Sequence, residues 1–117
     1  MKRSGIVLAG TIVLDIVNII DHWPAEETLS FITRTEYGAG DPPHNAAAGL
    51  MKLGADFPVT LLGLVGDDEY GRILLSSAGS YGLDTSQVRR VQGGVTSQTH
   101  VMSSAETGKR TFFCTQE

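Results

Sequence analysis

Two short, continuously apolar runs constrain the fold of this chain more than any other feature of its sequence. They are GIVLAG at residues 5–10 and FPVTLLGLVG at residues 57–66. Runs of this length that are rich in Val, Ile and Leu are typical of strands buried on both faces, as in a parallel sheet covered by helices. We therefore predict an α/β fold in which strands 5–11 and 58–65 lie side by side in parallel.

Two helices are predicted to pack against these strands. The first runs from about Pro43 to Leu53, because proline suits a first helical turn and Gly54 can adopt the left-handed conformation that ends a helix. The second follows Asp67 or Asp68, either of which can cap it, and closes near Gly82.

The other strands are more polar and indicate a second sheet. LSFITRTEYG at residues 29–38 alternates in character and is predicted as a half-exposed strand, whereas the run from residue 96 onward is predicted as a hairpin turning at SAETGK, residues 104–109. We expect a separate small sheet with strands near 13–20, 29–37, 96–103 and 110–115.

Composition narrows the functional classes. The chain has 117 residues, enough for one small domain. Its net charge is −4, and its charged residues are scattered along the sequence without long runs. The lack of clustered Lys and Arg disfavours nucleic acid as the main partner. A single cysteine fits a reducing compartment. The apolar N-terminus is interrupted by Asp15 and is too short and broken to span a bilayer, so we expect a cytoplasmic protein rather than a secreted or membrane protein.

A glycine turn leads into an alanine-rich helix in EYGAGDPPHNAAAGLMKLGA, residues 36–55. One interpretation is a dinucleotide site of an NAD-type oxidoreductase, because a strand, Gly38-x-Gly40, a helix, a strand and Asp67 approximate the Rossmann order. Two features weaken it: Pro43, which has no N–H, replaces the third glycine, and the leading strand is amphipathic.

A second interpretation rests on resemblance. GDPPHNAAAGLMKLGA followed by LLGLVGDDEYG resembles the N-terminal signature of the PfkB/ribokinase family of carbohydrate kinases. That signature has a Gly-Gly pair, an Asn opening an Ala-rich helix, Leu-Gly at the helix end, then a strand and Gly-Asp-Asp-x-x-Gly. AGTIVLD and WPAEET upstream, and the segment from YGLD to TFF downstream, also resemble the family, so the match covers nearly the whole chain in order.

The resemblance implies a fold and an activity. The fold is ribokinase-like: residues 1–117 would be the N-terminal part of a single kinase domain, a Rossmann-like α/β/α sandwich with a small β-sheet lid, and the C-terminal ATP-binding half lies outside this chain. The complete enzyme would transfer the γ-phosphoryl group of ATP, with Mg²⁺, to a hydroxyl of a sugar or nucleoside. A homodimer through the lid sheet is also implied.

The resemblance also implies substrate-binding residues. The Asp15 carboxylate would bind sugar hydroxyls, the Asn45 amide would contact a hydroxyl pair, and Gly40 would let the sugar approach the backbone. Asp41 stands where the family has its second glycine, and would either add an acid to the site or block that approach. From residue type alone, the alternatives are that Asp15 is a turn or edge-strand acid and that Asn45 is a helix cap.

Several other polar residues receive weaker assignments. Gln98 and His100 share a strand face and are candidate lid contacts. His44 either touches the substrate or faces solvent from the helix. Asp67 and Asp68 are interpreted as structural caps.

No catalytic base and no metal ligand is assigned within the chain. In the family the base belongs to a C-terminal Gly-Ala-Gly-Asp motif; GAGD at residues 38–41 repeats those letters but belongs to the N-terminal signature. A non-catalytic sugar-binding or assembly module therefore remains an alternative, beside the oxidoreductase fragment.

Overall fold

The computed structural model describes residues 4–40 and 42–115. Its strands and helices are β1 (Ile6–Ala9), β2 (Val13–Ile20), β3 (Ile32–Ala39), α1 (Pro42–Lys52), β4 (Val59–Gly66), α2 (Glu69–Ser80), β5 (Val88–Val91), β6 (Ser97–Ser104) and β7 (Arg110–Cys114). Within the described ranges, no helix has the length and apolar character needed to cross a membrane.

The main sheet consists of β1, β4 and β5 in the order β1-β4-β5, with all pairs parallel. Ile6 of β1 is paired with Val59 of β4, which confirms the predicted side-by-side strands. The third strand was not predicted. Two arginines occupy the centre of its sequence, VRRV, so only pairing with β4 identifies it as a strand.

Both helices pack on one face of the main sheet. Alternate residues of β4 form a core with Ala47 of α1 and Leu74 of α2. The helix ends agree with the prediction: Asp68 caps α2, and Gly54 has a φ of +82°.

The opposite face of the main sheet is uncovered by the described residues. Val7 is 61% exposed and Leu64 is 59% exposed, and Leu62 and Val91 lie on the same face. The apolar runs predicted strands buried on both faces. In this chain that prediction holds for one face only, because both described helices lie on the other.

The second sheet has the strand order β3-β2-β6-β7. β2 is parallel to β6, whereas β3 and β7 are antiparallel to their neighbours. These strands lie close to the predicted ranges, and β6 and β7 form the predicted hairpin. The prediction that β3 is half-exposed is wrong, because residues 32–38 are exposed on both faces of the sheet. β3 is an edge strand, and the described part of the chain packs little against it.

Two chain connections between the sheets pass over β4. Residues 10–12 link β1 to β2, and residues 92–96 link β5 to β6. A side chain at Gly63 would come within 2.6 Å of Ile12, and one at Gly66 would come within 2.5 Å of the carbonyl oxygen of Gly94. Glycines in β4 therefore allow both connections to lie directly on the strand.

Candidate functional site

Asp15 and Gly40 lie against each other where the second sheet meets the start of α1. Asp15 is in β2, paired with Gly38 of β3 and Thr99 of β6, and it is half-buried. A Cβ atom at residue 40 would overlap the Asp15 carboxylate. The Gly40 N–H donates to the carbonyl oxygen of Val13 at 2.9 Å, which holds this segment beside β2. The carboxylate is thus held over the backbone that leads into α1.

Helix α1 begins beside this carboxylate with two prolines. Because Pro42 and Pro43 carry no N–H, the first backbone donors of the helix belong to His44 and Asn45. Asn45 is exposed at this end of the helix, where its amide is accessible to a ligand. Asp15 and Gly40 therefore lie together before the start of α1, and Asn45 is exposed in the first turn of that helix, whereas Asp41 lies outside the described residues.

His44 is buried, whereas its neighbour Asn45 is exposed. Its side chain is 2% exposed, and its ring meets the ring of Tyr81 edge-on with centroids 6.2 Å apart. The interpretation of His44 as a solvent-facing residue is therefore wrong. Successive residues of a helix are rotated by about 100°, so one of the pair faces the core and the other solvent.

Gln98 and His100 lie on the other face of the second sheet from Asp15. In the register of β2 and β6, Gln98 pairs with the buried Leu14 and His100 with Ile16, whereas Asp15 pairs with Thr99. The two side chains contact each other, with His100 Nε2 2.9 Å from Gln98 Oε1. The structure does not bring them to the Asp15 side, and their contact with a substrate stays a prediction.

Asp68 forms a hydrogen-bond network with a residue that the sequence did not single out. Its carboxylate accepts from the Gly71 N–H at 2.8 Å, from the Thr96 N–H at 2.9 Å and from the Thr96 hydroxyl at 2.6 Å. Burial raises the pKa of Asp68, but the bonds from Thr96 and Gly71 outweigh it and hold the pKa below its usual value. No local sequence pattern pointed to Thr96, because its hydrogen-bond partner Asp68 is 28 residues away in the sequence.

A cleft of about 520 Å³ lies beside the end of β4, between the two connections to the second sheet. Gly10, Thr11, Leu64, Val91 and Val95 are among its lining residues, and none of the residues that line it is charged. Asp15, Gly40 and Asn45 do not line it. The cleft is continuous with the uncovered face of the main sheet, since Leu64 and Val91 belong to both.

Solved structures show the class of fold. The chain is similar to a protein from Agrobacterium tumefaciens described as a putative ribokinase, with a TM-score of 0.81 at 23% identity, covering 97% of this chain and 36% of that one. It is also similar to Arabidopsis thaliana ribokinase, with a TM-score of 0.80 at 25% identity, covering 93% of this chain and 35% of that one. The fold is ribokinase-like, as predicted.

Sequence comparison then identifies the family. The family model described as pfkB family carbohydrate kinase matches residues 8–117. A 5-dehydro-2-deoxygluconokinase from Shouchella clausii is 36% identical over 87 residues, which is 74% of this chain and 25% of that protein. The chain belongs to the pfkB family of carbohydrate kinases. It spans about a quarter of the length of the curated relatives it matches.

The family assignment agrees with the resemblance and removes the dinucleotide interpretation. The Rossmann order needs a buried first strand of a parallel sheet before the glycines. Here Gly38 ends β3, an exposed antiparallel edge strand of the second sheet. The glycine turn therefore follows the wrong kind of strand for an NAD site.

Proposed function

We propose that the protein is an ATP-dependent carbohydrate kinase and that residues 1–117 supply the part that binds the acceptor. In this proposal they are the N-terminal part of one kinase domain, with the second sheet acting as a lid. The observation that carries the proposal is the Asp15 carboxylate held against Gly40 at the start of α1. The whole protein is proposed to be cytoplasmic, in keeping with its single cysteine.

Asp15, Gly40, Asp41 and Asn45 are the proposed acceptor-binding residues. A carboxylate accepts hydrogen bonds from two neighbouring hydroxyls, and such charge-assisted bonds are stronger than neutral ones. The Asn45 amide can donate to one hydroxyl oxygen and accept from another. Asp41 would add a second acid beside the glycine. Together these groups suit a polyhydroxylated molecule better than an apolar one.

The proposed reaction transfers the γ-phosphoryl group of ATP to an acceptor hydroxyl. Residues 1–117 would hold that hydroxyl in place, which is a large part of catalysis in phosphoryl transfer. Among the described residues, no group of three or more His, Cys, Asp or Glu side chains is placed to hold a metal ion. The family resemblance assigns ATP and Mg²⁺ mainly to the C-terminal part of the complete protein.

The proposed acceptor is a sugar, a sugar acid or a nucleoside. The Shouchella clausii relative is named a 5-dehydro-2-deoxygluconokinase, and the Arabidopsis thaliana ribokinase was solved complexed with ribose and ATP. A nucleoside kinase from Methanocaldococcus jannaschii has the same fold. All three classes of acceptor present vicinal or neighbouring hydroxyls.

A homodimer through the second sheet is proposed as the assembly. On the face opposite Asp15, β3 and β7 carry the exposed residues Ile32, Tyr37 and Phe113, and Trp23 stacks on Phe113 with ring centroids 6.2 Å apart. An apolar sheet face with exposed edges favours association with a second copy.

The test is an ADP-release assay on the complete reading frame that contains residues 1–117. Ribose, fructose, 5-dehydro-2-deoxygluconate and adenosine would be offered with ATP and Mg²⁺. We expect saturable turnover with at least one of them. Absence of ADP release above background with every acceptor would favour a non-catalytic module instead.

A further inference from the structure

Thr96 fixes the end of the connection that leads from the main sheet to the second sheet. It is 1% exposed and directly precedes β6. Its hydroxyl donates to Asp68 Oδ1 at 2.6 Å and accepts from the Gly66 N–H at 2.9 Å. Its own backbone N–H donates to Asp68 Oδ2 at 2.9 Å. The start of β6 is thus bonded to the end of β4 and to the residue before α2.

The glycines around this cluster make the contacts close. A side chain at Gly71 would overlap the carbonyl oxygen of Gly66, and one at Gly66 would come within 2.6 Å of the Thr96 nitrogen. Asp68 bonds the Gly71 N–H as well as Thr96. One carboxylate therefore serves both as the cap of α2 and as the anchor of the connection.

The other connection contacts β4 mainly through packing. Residues 10–12 contact β4 through packing of Ile12 on Gly63 and through a backbone bond from the Gly10 N–H to Leu62 at 3.3 Å. The anchored connection leads into the strand beside the candidate site, because Thr99, three positions after Thr96, is the β6 partner of Asp15.

We infer that Asp68, acting through Thr96, is a positioning residue that fixes the point at which the second sheet leaves the main sheet and so holds Asp15 over the start of α1. The anchor itself follows from the contacts of the described residues. Its consequence for acceptor binding rests on the proposed function.

The first test measures the geometry without any activity. Spin labels at Leu53→Cys, beyond α1, and Lys109→Cys, in the β6–β7 turn, are placed in a Cys114→Ser background, and pulsed electron spin resonance gives their distance distribution. Thr96→Val keeps the shape of Thr96 and removes its hydroxyl, whereas Thr96→Ser keeps the hydroxyl. We expect Thr96→Val to broaden or shift the distribution and Thr96→Ser to leave it unchanged.

Two further variants separate anchoring from helix capping. Asp68→Ser keeps a residue that caps helices well but has no second oxygen for Thr96. Asp68→Ser should also change the distance distribution, while the α2 amides stay protected from hydrogen exchange. If Thr96→Val does not fold, Asp68→Ser alone decides the test. Asp84→Ser, which removes a bond to the Ser86 N–H away from the connection, is the matched control and should leave the distance unchanged. An unchanged distance in both Asp68→Ser and folded Thr96→Val would overturn the inference.

A second test connects the anchor to the site in the complete reading frame. Thr96→Val should raise the KM for the acceptor about tenfold or more with the KM for ATP unchanged, because small misplacements of a binding group are costly. Thr96→Ser should restore the parent value. A changed label distance with an unchanged acceptor KM would overturn the positioning role. Failure of the proposed function is seen separately, as absence of acceptor-dependent turnover in the parent protein.

Discussion

The Asp15 carboxylate occupies the space that a side chain at residue 40 would fill. This relationship joins β2 to the segment between β3 and α1, where the Gly40 N–H also bonds Val13 at 2.9 Å. The candidate site therefore lies where the second sheet meets α1, and its geometry depends on how these elements meet.

Gly40→Ala should disturb the site more than the fold. The new methyl group would displace the Asp15 carboxylate, so we expect acceptor affinity to fall while the free energy of unfolding changes less. Isothermal titration with the acceptor and urea unfolding measure the two quantities. Gly38→Ala is the matched control, because nothing lies within 4 Å of a Cβ atom built there. Equal effects of the two substitutions on affinity would contradict the assignment.

Asp15→Ala in the complete reading frame should weaken acceptor binding by about 2–4 kcal/mol, since it removes a charge-assisted acceptor and leaves hydroxyls unpaired. The KM for ATP should barely change. Steady-state kinetics with each substrate varied in turn measure both, and Glu106→Gln, an exposed acid in the β6–β7 turn, is the control. A wild-type KM for the acceptor in Asp15→Ala would rule out the role proposed for this carboxylate.

Residues 1–117 alone should not phosphorylate any acceptor. Phosphoryl transfer needs a base and an anion site in line with the acceptor hydroxyl, and each contributes orders of magnitude in rate. We assign only the acceptor side to this chain. The purified chain is assayed with ATP, Mg²⁺ and the acceptor panel beside the complete reading frame. Steady turnover by the short chain would indicate that GAGDPPHN carries the chemistry.

Association should depend on the face of the second sheet opposite Asp15. Ile32→Glu and Phe113→Glu introduce charges on that face and should shift sedimentation toward the monomer. Leu53→Glu is the control, because it places the same charge on a residue just after α1 that is 87% exposed. It should not change the sedimentation. Sedimentation velocity over a range of concentrations distinguishes these outcomes. A parent protein that is monomeric throughout would contradict the proposed homodimer.

Acid should destabilise the chain partly through Asp68. The folded pKa of Asp68 lies below its ordinary value of 3.8, so its contribution to stability is present above that pH and is lost as pH falls through the folded pKa. Thr96→Val should cost about 1–3 kcal/mol near neutral pH and reduce this acid-dependent loss. Urea unfolding at a series of pH values from about pH 7 to about pH 2 measures both quantities. Parallel stability curves for parent and variant would contradict a Thr96-dependent pKa.

Much of the fold was predictable because it depends on local chemistry. The apolar runs predicted β1 and β4, and Asp68 and Gly54 marked a helix start and a helix end, since capping depends on a few neighbouring residues. β5 was not predicted, because its sequence VRRV has two central arginines and lacks the apolar pattern of a buried strand. Its pairing with β4 identifies it as a strand. The family, too, could be identified from the order of short motifs along the chain.

The candidate site divides in the same way. The sequence by itself determined which residue types are available, and it pointed to Asp15, Gly40 and Asn45. Only the tertiary structure decided that Gln98 and His100 lie on the other face of the second sheet from Asp15. The residues that share a face across two strands depend on the register between those strands. The tertiary structure also placed the Thr96 hydroxyl on Asp68, across 28 residues of sequence. Such contacts depend on how separate elements pack, which no local pattern specifies.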